Sequence, residues 1–323
     1  MNPAPFELIT IGNSCCDIFV PEHERPPAGG ITTIDSLEAV PGGNGANTAI
    51  TAARLGLRTA IAGVLGDDVF GRHLRDTLER AGVDTTLLDL KRERSSPATL
   101  VFNDPTSGER SFVHHPGTNR DCTLSGTVLD ADCRVFHFAA PELLPGLWPG
   151  ETLRAARRLK RRGVTLSLDT FAVEGPGHAS SPAQIGRDHE ELLSLVDMVF
   201  PNESEARLIT GRSELRDITK HFHSLGVRVA VVKRGEKGAV VSWEGGYAEV
   251  PADRVVAVDT CGAGDNFSAG FLAGHLRGLD PLDSTRLGCA LGSLCVAFKG
   301  ATTSTEDPER LRALLQRFDK IGR

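Results

Sequence analysis

One run near the C-terminal end, Asp259-Thr-Cys-Gly-Ala-Gly-Asp265 followed by Asn266-Phe-Ser-Ala-Gly270, places a carboxylate beside a cluster of small residues. The apolar residues 256–258 ahead of it read as the end of a strand, Gly262 and its neighbours as a tight turn, and the following residues as the opening of a helix. The first N–H groups of a helix lack intrahelical partners, so those of Gly262, Ala263 and Gly264 would form a cradle for an anion. Asp265 falls in the first turn beside it. A carboxylate there either takes a proton from a hydroxyl while the cradle holds charge on a transferring phosphoryl group, or simply complements the helix dipole. The segment alone does not separate the two.

Two further stretches carry polar chemistry. Pro41-Gly42-Gly43-Asn44-Gly45-Ala46-Asn47 holds three glycines and two asparagines in six residues, a combination that lets a hydroxyl-rich ligand approach the backbone and meet amide donors and acceptors. Near the start, Ile9-Thr-Ile-Gly12-Asn13 is a strand with a polar exit, and Asp17 follows where a carboxylate would accept two neighbouring hydroxyls. Asp169 closes another apolar run, at a strand end of the kind that faces the cleft in α/β folds; it is either a ligand contact or a loop cap. Glu142 is a weaker candidate of the same sort.

The elements that must position these residues are legible in the joins. Gly56-Leu57, Gly82-Val83, Gly163-Val164 and Gly226-Val227 repeat one pattern, a helix-ending glycine followed by the first residue of a buried strand. Phe70, Leu74 and Leu78 at four-residue spacing predict a helix over 70–81. Residues 164–168, 198–200 and 229–232 read as strands buried on both faces. The expected fold class is α/β, a doubly wound, mostly parallel sheet flanked by helices. Residues 14–41 and 96–118 break the rhythm. The second is expected to be a hairpin, 98–102 and 110–114 around the turn Asp104-Pro-Thr-Ser-Gly108. Strands from the two segments would form a small β-sheet lid over a core of 1–13, 42–95 and 119–323.

Composition narrows the function. The 323 residues suit one large domain or two ordinary ones, and 40% hydrophobic with 24% charged residues is a globular balance. A net charge of -6 excludes the basic footprint of nucleic-acid binding. The basic cluster over 154–162 reads as a solvated helix face. Apolar runs such as 287–298 fall short of the ~18 residues a membrane helix needs, and the first residues lack the pattern of a secretory signal, so a cytoplasmic location is expected. The 7 cysteines have no C-x-x-C spacing, which suggests free thiols. There is no P-loop, no complete dinucleotide fingerprint and no G-x-S-x-G elbow.

Taken in order, the blocks resemble the ribokinase-like (PfkB) carbohydrate kinases over essentially the whole chain. Asp259 to Asp265 matches the family's D-T-x-G-A-G-D pattern, and Gly42 to Asn47 its G-G-x-x-x-N pattern. Gly66-Asp67-Asp68-Val-Phe-Gly71, Asn202-Glu-Ser-Glu205 and Lys233-Arg-Gly235-Glu-Lys-Gly238 match three more. The resemblance implies a ribokinase-like fold and an ATP-dependent sugar kinase. Asp265 would be the base and Gly262, Ala263 and Gly264 the anion hole. It further implies sugar contacts at Asp17, Gly42, Gly43 and Asn47, with Asn13 and Asp169 in the same cleft. Asn202, Lys233, Gly235 and Gly238 would serve ATP, and Glu205 would act on Mg²⁺ through water. Many relatives bind K⁺ behind the anion hole, which here implicates Asp259, Cys261, Cys295, Phe298, Gly300 and Ser304. The lid of relatives is often a homodimer contact. Arg110, His114 and His115 either read a phosphate on the acceptor or face solvent. An unphosphorylated sugar is the preferred acceptor, with a nucleoside or phosphosugar as alternatives and a catalytically silent sugar sensor as the non-enzyme reading.

Overall fold

The computed structural model describes residues 6–20, 28–103, 110–172 and 182–318. Its strands are β1 (Phe6–Gly12), β2 (Cys15–Val20), β3 (Glu38–Gly42), β4 (Thr59–Gly66), β5 (Leu88–Lys91), β6 (Ala98–Asn103), β7 (Arg110–His115), β8 (Cys133–Ala139), β9 (Thr165–Asp169), β10 (Met198–Val199), β11 (Val229–Lys233), β12 (Ala239–Trp243) and β13 (Gly246–Val250). The α-helices are α1 (Asn44–Arg54), α2 (Val69–Arg80), α3 (Gly126–Asp130), α4 (Gly150–Arg161), α5 (Pro182–Leu193), α6 (Glu203–Thr210), α7 (Leu215–Ser224), α8 (Ala263–Leu276), α9 (Pro281–Val296) and α10 (Pro308–Leu315).

Helices end where the glycines put them. Gly56, Gly82, Gly163 and Gly226 all have positive φ, the left-handed conformation that turns a helix into the next strand. The strands then order as β13-β12-β11-β10-β9-β8-β1-β4-β5. Pairing is parallel from β5 across to β11, and antiparallel for β11–β12 and β12–β13 at one edge. Parallel strands need cover on both faces, and alternate residues supply it. Ile9, Ile11, Phe136, Phe138, Leu166 and Leu168 pack into one apolar cluster. Leu8, Val135, Met198 and Val231 pack into the other, with α8 and α9. A Cβ on Gly270 of α8 would meet Leu291 Cδ1 of α9 at 2.6 Å, so the two helices lie in direct contact there. Among the described residues no helix is long and apolar enough to cross a membrane.

β3-β2-β6-β7 form a separate small sheet in which β2 pairs antiparallel with β3 and parallel with β6, and β6 antiparallel with β7. The turn over 104–108 expected between β6 and β7 lies outside the described residues. One expectation fails. Residues 256–258 are not a strand: Val256 and Val258 are 84% and 63% exposed, and the backbone reaches only the Val296 carbonyl, through the N–H groups of Val258 and Asp259. The segment joins neither sheet, and the motif enters α8 from an irregular loop.

The C-terminal ends of β1, β8, β9 and β11 bring Gly12, Ala139, Asp169 and Lys233 to one side of the large sheet, where α1 and α8 begin.

Candidate active site

α8 starts from a turn that only glycine fits. Gly262 has φ 75°, and a Cβ on it would lie 2.4 Å from Ala301 Cβ. Asn266, fully buried, braces this turn: its Nδ2 donates to the carbonyls of Gly262 (2.8 Å) and Ala301 (2.7 Å), and its Oδ1 accepts from Thr51 (2.9 Å). The first-turn amides of α8 have no partners within the helix; that of Ala263 makes only a 3.4 Å contact with Thr260 O.

Asp265 sits in this first turn, 5% exposed. Asn44 Nδ2 donates to its Oδ1 at 2.9 Å and Asn47 Nδ2 to its Oδ2 at 2.8 Å. The two asparagines are three residues apart in the first turn of α1 and so share a face. Burial pushes the Asp265 carboxyl above its ordinary value; the Asn47 amide opposes this, Asp169 adds to it, and Lys233 and Asn44 oppose it. Among the described residues, Asn47 Oδ1 is buried with no hydrogen-bond partner.

Asp169, at the end of β9, receives Lys233 Nζ on both oxygens (2.6 and 2.8 Å), Ser268 Oγ on Oδ2 (2.8 Å) and the Thr170 N–H on Oδ1 (3.0 Å). Glu205 forms a capping box with Asn202 at the start of α6: its Oε2 accepts the Asn202 N–H and the Thr170 hydroxyl, both at 2.9 Å, and Asn202 Oδ1 accepts the Glu205 N–H. Burial raises the Glu205 pKa to about 7, against the pull of Lys233. Gly235 and Gly238 form the β11–β12 turn. A Cβ on Gly238 would collide with Val250 O at 1.9 Å.

On the small-sheet side, Asp17 lies in β2 with its carboxylate over Gly42; a Cβ there would reach Oδ2 at 2.1 Å. Cys15 Sγ donates to Asp17 Oδ1 at 3.2 Å. A Cβ on Gly43 would lie 2.3 Å from Asn13 O, and Asn13 Oδ1 accepts from Asn119. A cavity of about 500 Å³ is lined by Asn13, His114, Pro116, Arg120, Leu143 and Pro145. Glu142 is turned away into a buried pair with His189, 2.7 Å from its Nε2.

Behind the cradle, Asp259 accepts the Cys261 N–H on Oδ1 (2.9 Å) and the Gly300 N–H on Oδ2 (2.8 Å). Cys295 Sγ lies 3.3 Å from Cys261 O and the Cys295 carbonyl accepts from Phe298 N. Ser304 Oγ is buried and, among the described residues, unpartnered.

The family model for pfkB family carbohydrate kinases matches residues 6–308. The chain belongs to that family. This carbohydrate kinase is 30% identical to the ribokinase of Haemophilus influenzae over 92% of its own length and 94% of that protein. It is 28% identical to a nucleoside kinase of Methanothermobacter thermautotrophicus, over 93% of each. Its fold matches the structure of Arabidopsis thaliana ribokinase complexed with ribose and ATP at a TM-score of 0.80, with 25% identity, covering 97% of this chain and 99% of that one.

Within this kinase, Asp265, Asn47, Asp169, Lys233 and Glu205 are linked by direct bonds or mutual electrostatic influence, whereas Asp17 and Asn13 bond to other partners on the small-sheet side. Asn47 spends its amide nitrogen on Asp265, and Asp169 is occupied by Lys233, Ser268 and Thr170. Sequence reasoning took Asn44 only as an amide for a hydroxyl-rich ligand and missed Asn266, Ser268 and Thr170. Asn266 and Ser268 lie in the run after Asp265, where the amide was the available signal; Ser268 and Thr170 carried none.

Proposed function

We propose that this chain transfers the γ-phosphate of ATP to a hydroxyl of a pentose or hexose, with Asp265 as general base. The observation that supports this most is the Asp265 carboxylate itself, buried and held by two asparagine amides at the N-terminus of α8. Asp265 accepts the proton of the acceptor hydroxyl. That oxygen bonds to the γ-phosphorus while the bond to the bridging oxygen breaks and ADP departs with the electron pair. The amides of Gly262, Ala263 and Gly264 hold the charge that builds on the transferring group.

Asp17, Gly42, Gly43 and Asn13 bind the sugar, and the unpartnered Asn47 Oδ1 accepts one of its hydroxyls. The β11–β12 turn at Gly235 and Gly238, with Asn202, receives the nucleotide. Glu205 acts on Mg²⁺ through water; one of its oxygens, Oε1, makes no protein hydrogen bond among the described residues, which fits that role. Mg²⁺ supplies charge neutralisation along the triphosphate. Residues 14–41 and 96–118 act as a lid on the remaining core and as the contact for a homodimer. K⁺ would bind behind the cradle, held by Asp259, the buried Ser304 Oγ and the carbonyls of Phe298 and Gly300. The bound cation would add positive charge behind the anion hole.

A second reading, nucleoside kinase, is favoured by the cavity beside Asn13, whose walls of Pro116, Leu143 and Pro145 offer apolar contact to a ring. Thermal-shift screening separates the two. Stabilisation by adenosine or cytidine but by no free sugar selects the nucleoside reading, since a ligand at 100 times its Kd adds about 2.7 kcal/mol.

A further inference from the structure

We propose that Lys233 is a catalytic residue of the phosphoryl transfer, held over the cradle by Asp169 and Ser268 as positioning residues; this rests on the kinase reading above. A Cβ on Gly264 would stand 3.1 Å from Lys233 Nζ, so the cation sits against the first turn of α8. A helix N-terminus carries partial positive charge and repels cations. An ammonium laid there is misplaced in the resting protein and well placed once an anion enters between it and the amides.

Its position is fixed rather than incidental. Asp169 takes the ammonium on both oxygens at 2.6 and 2.8 Å. Ser268, on α8 itself and one turn after Gly264, donates to Asp169 Oδ2 at 2.8 Å, which ties the carboxylate to the helix that carries the cradle. The side chains of Lys233 and Asp169 are 15% and 5% exposed, so the pair keeps its field in a water-poor site. Lys233 also lies within electrostatic reach of Asp265 and Glu205, at the centre of the acidic groups that flank the reaction.

In the transfer step the acceptor proton goes to Asp265, the acceptor oxygen–phosphorus bond forms, and the γ-phosphorus–bridging-oxygen bond breaks with its electron pair leaving on ADP. Lys233 keeps its proton throughout. It contributes charge against the oxygens of the transferring group, where the amide cradle alone supplies only dipoles.

The test uses the full chain with Mg-ATP and D-ribose, D-fructose, adenosine and cytidine as acceptors. Lys233→Met is expected to lower kcat about 100-fold or more, the loss typical of one removed transition-state donor, with acceptor KM nearly unchanged. Lys233→Arg retains part of the rate. Asp169→Asn and Ser268→Ala show the same kcat-only pattern with smaller losses, and they keep the proposal testable should Lys233→Met fold poorly. Calorimetry gives a readout apart from turnover. Aluminium fluoride with Mg-ADP and the acceptor, a mimic of the transferring group, tightens binding to the wild type and not to Lys233→Met. A wild-type kcat in Lys233→Met, or a rise in ATP KM alone, overturns the proposal and leaves Lys233 a nucleotide contact. No ADP release by the wild type with any of the four acceptors overturns the kinase reading and this inference with it.

Discussion

Asn47 Nδ2 lies 2.8 Å from Asp265 Oδ2 although the two residues are 218 positions apart, so helices α1 and α8 meet at the carboxylate. The contact makes the ionisation of Asp265 depend on α1. Burial raises its pKa and the Asn47 amide is the largest opposing influence.

Asn47→Ala removes that donor, so the Asp265 pKa rises further. A general base works ionised, so the acid limb of the kcat–pH profile is expected to move to higher pH in the variant, with a lower plateau. An unmoved acid limb contradicts the assignment of that limb to Asp265.

Glu205 titrates at about 7 in the folded protein, above its unfolded value. A carboxyl raised on folding binds its proton more tightly in the native state. Its contribution is therefore fully present below the unfolded pKa and is lost as pH rises toward about 7. At pH 8 Glu205→Gln is expected to be more stable than the wild type by up to about 3 kcal/mol, with a flatter stability slope between pH 5 and 7. Urea unfolding across that range checks both.

Asn266→Ala removes the amide donor shared by Gly262 O and Ala301 O, which keep only the residue-266 N–H and the weak Cys295 Sγ contact, and takes the acceptor from the Thr51 hydroxyl in a fully buried place. Each buried polar group left unsatisfied costs about 1–3 kcal/mol. Thermal unfolding should show a clear drop in Tm, accompanied by lower kcat as the cradle loosens; a near-wild-type Tm removes Asn266 as its brace.

Much of this arrangement was legible because it is local. Glycines at 56, 82, 163 and 226 announce helix ends by a backbone requirement, and the cradle at 262–264 with Asp265 is contained in one short run. What stayed hidden depends on distance along the chain. Asp169 reads as a ligand contact until Lys233, 64 residues on, is seen to occupy it. Asn44 and Asn47 read as sugar-loop amides until the fold turns both onto Asp265. The segment over 256–258 misleads in the other direction: its valines have strand propensity, but the segment pairs with no strand and Val256 and Val258 stay exposed.

With Ser304 in the proposed K⁺ site, its buried hydroxyl, unpartnered among the described residues, predicts a response to monovalent cations. Replacing Na⁺ by K⁺ should raise kcat, and Ser304→Ala should shrink the difference without altering acceptor KM. Equal rates in the two salts contradict the K⁺ assignment.

ADP release from Mg-ATP with a panel of pentoses, hexoses, ketosugars, phosphosugars and nucleosides, run in parallel on the wild type and Asp265→Asn, decides whether Asp265 is the base of a sugar kinase. The expected result is turnover of one sugar by the wild type and loss of about 100-fold or more in kcat in the variant, with sugar binding retained. Turnover that survives in Asp265→Asn would contradict the assignment of Asp265 as the base.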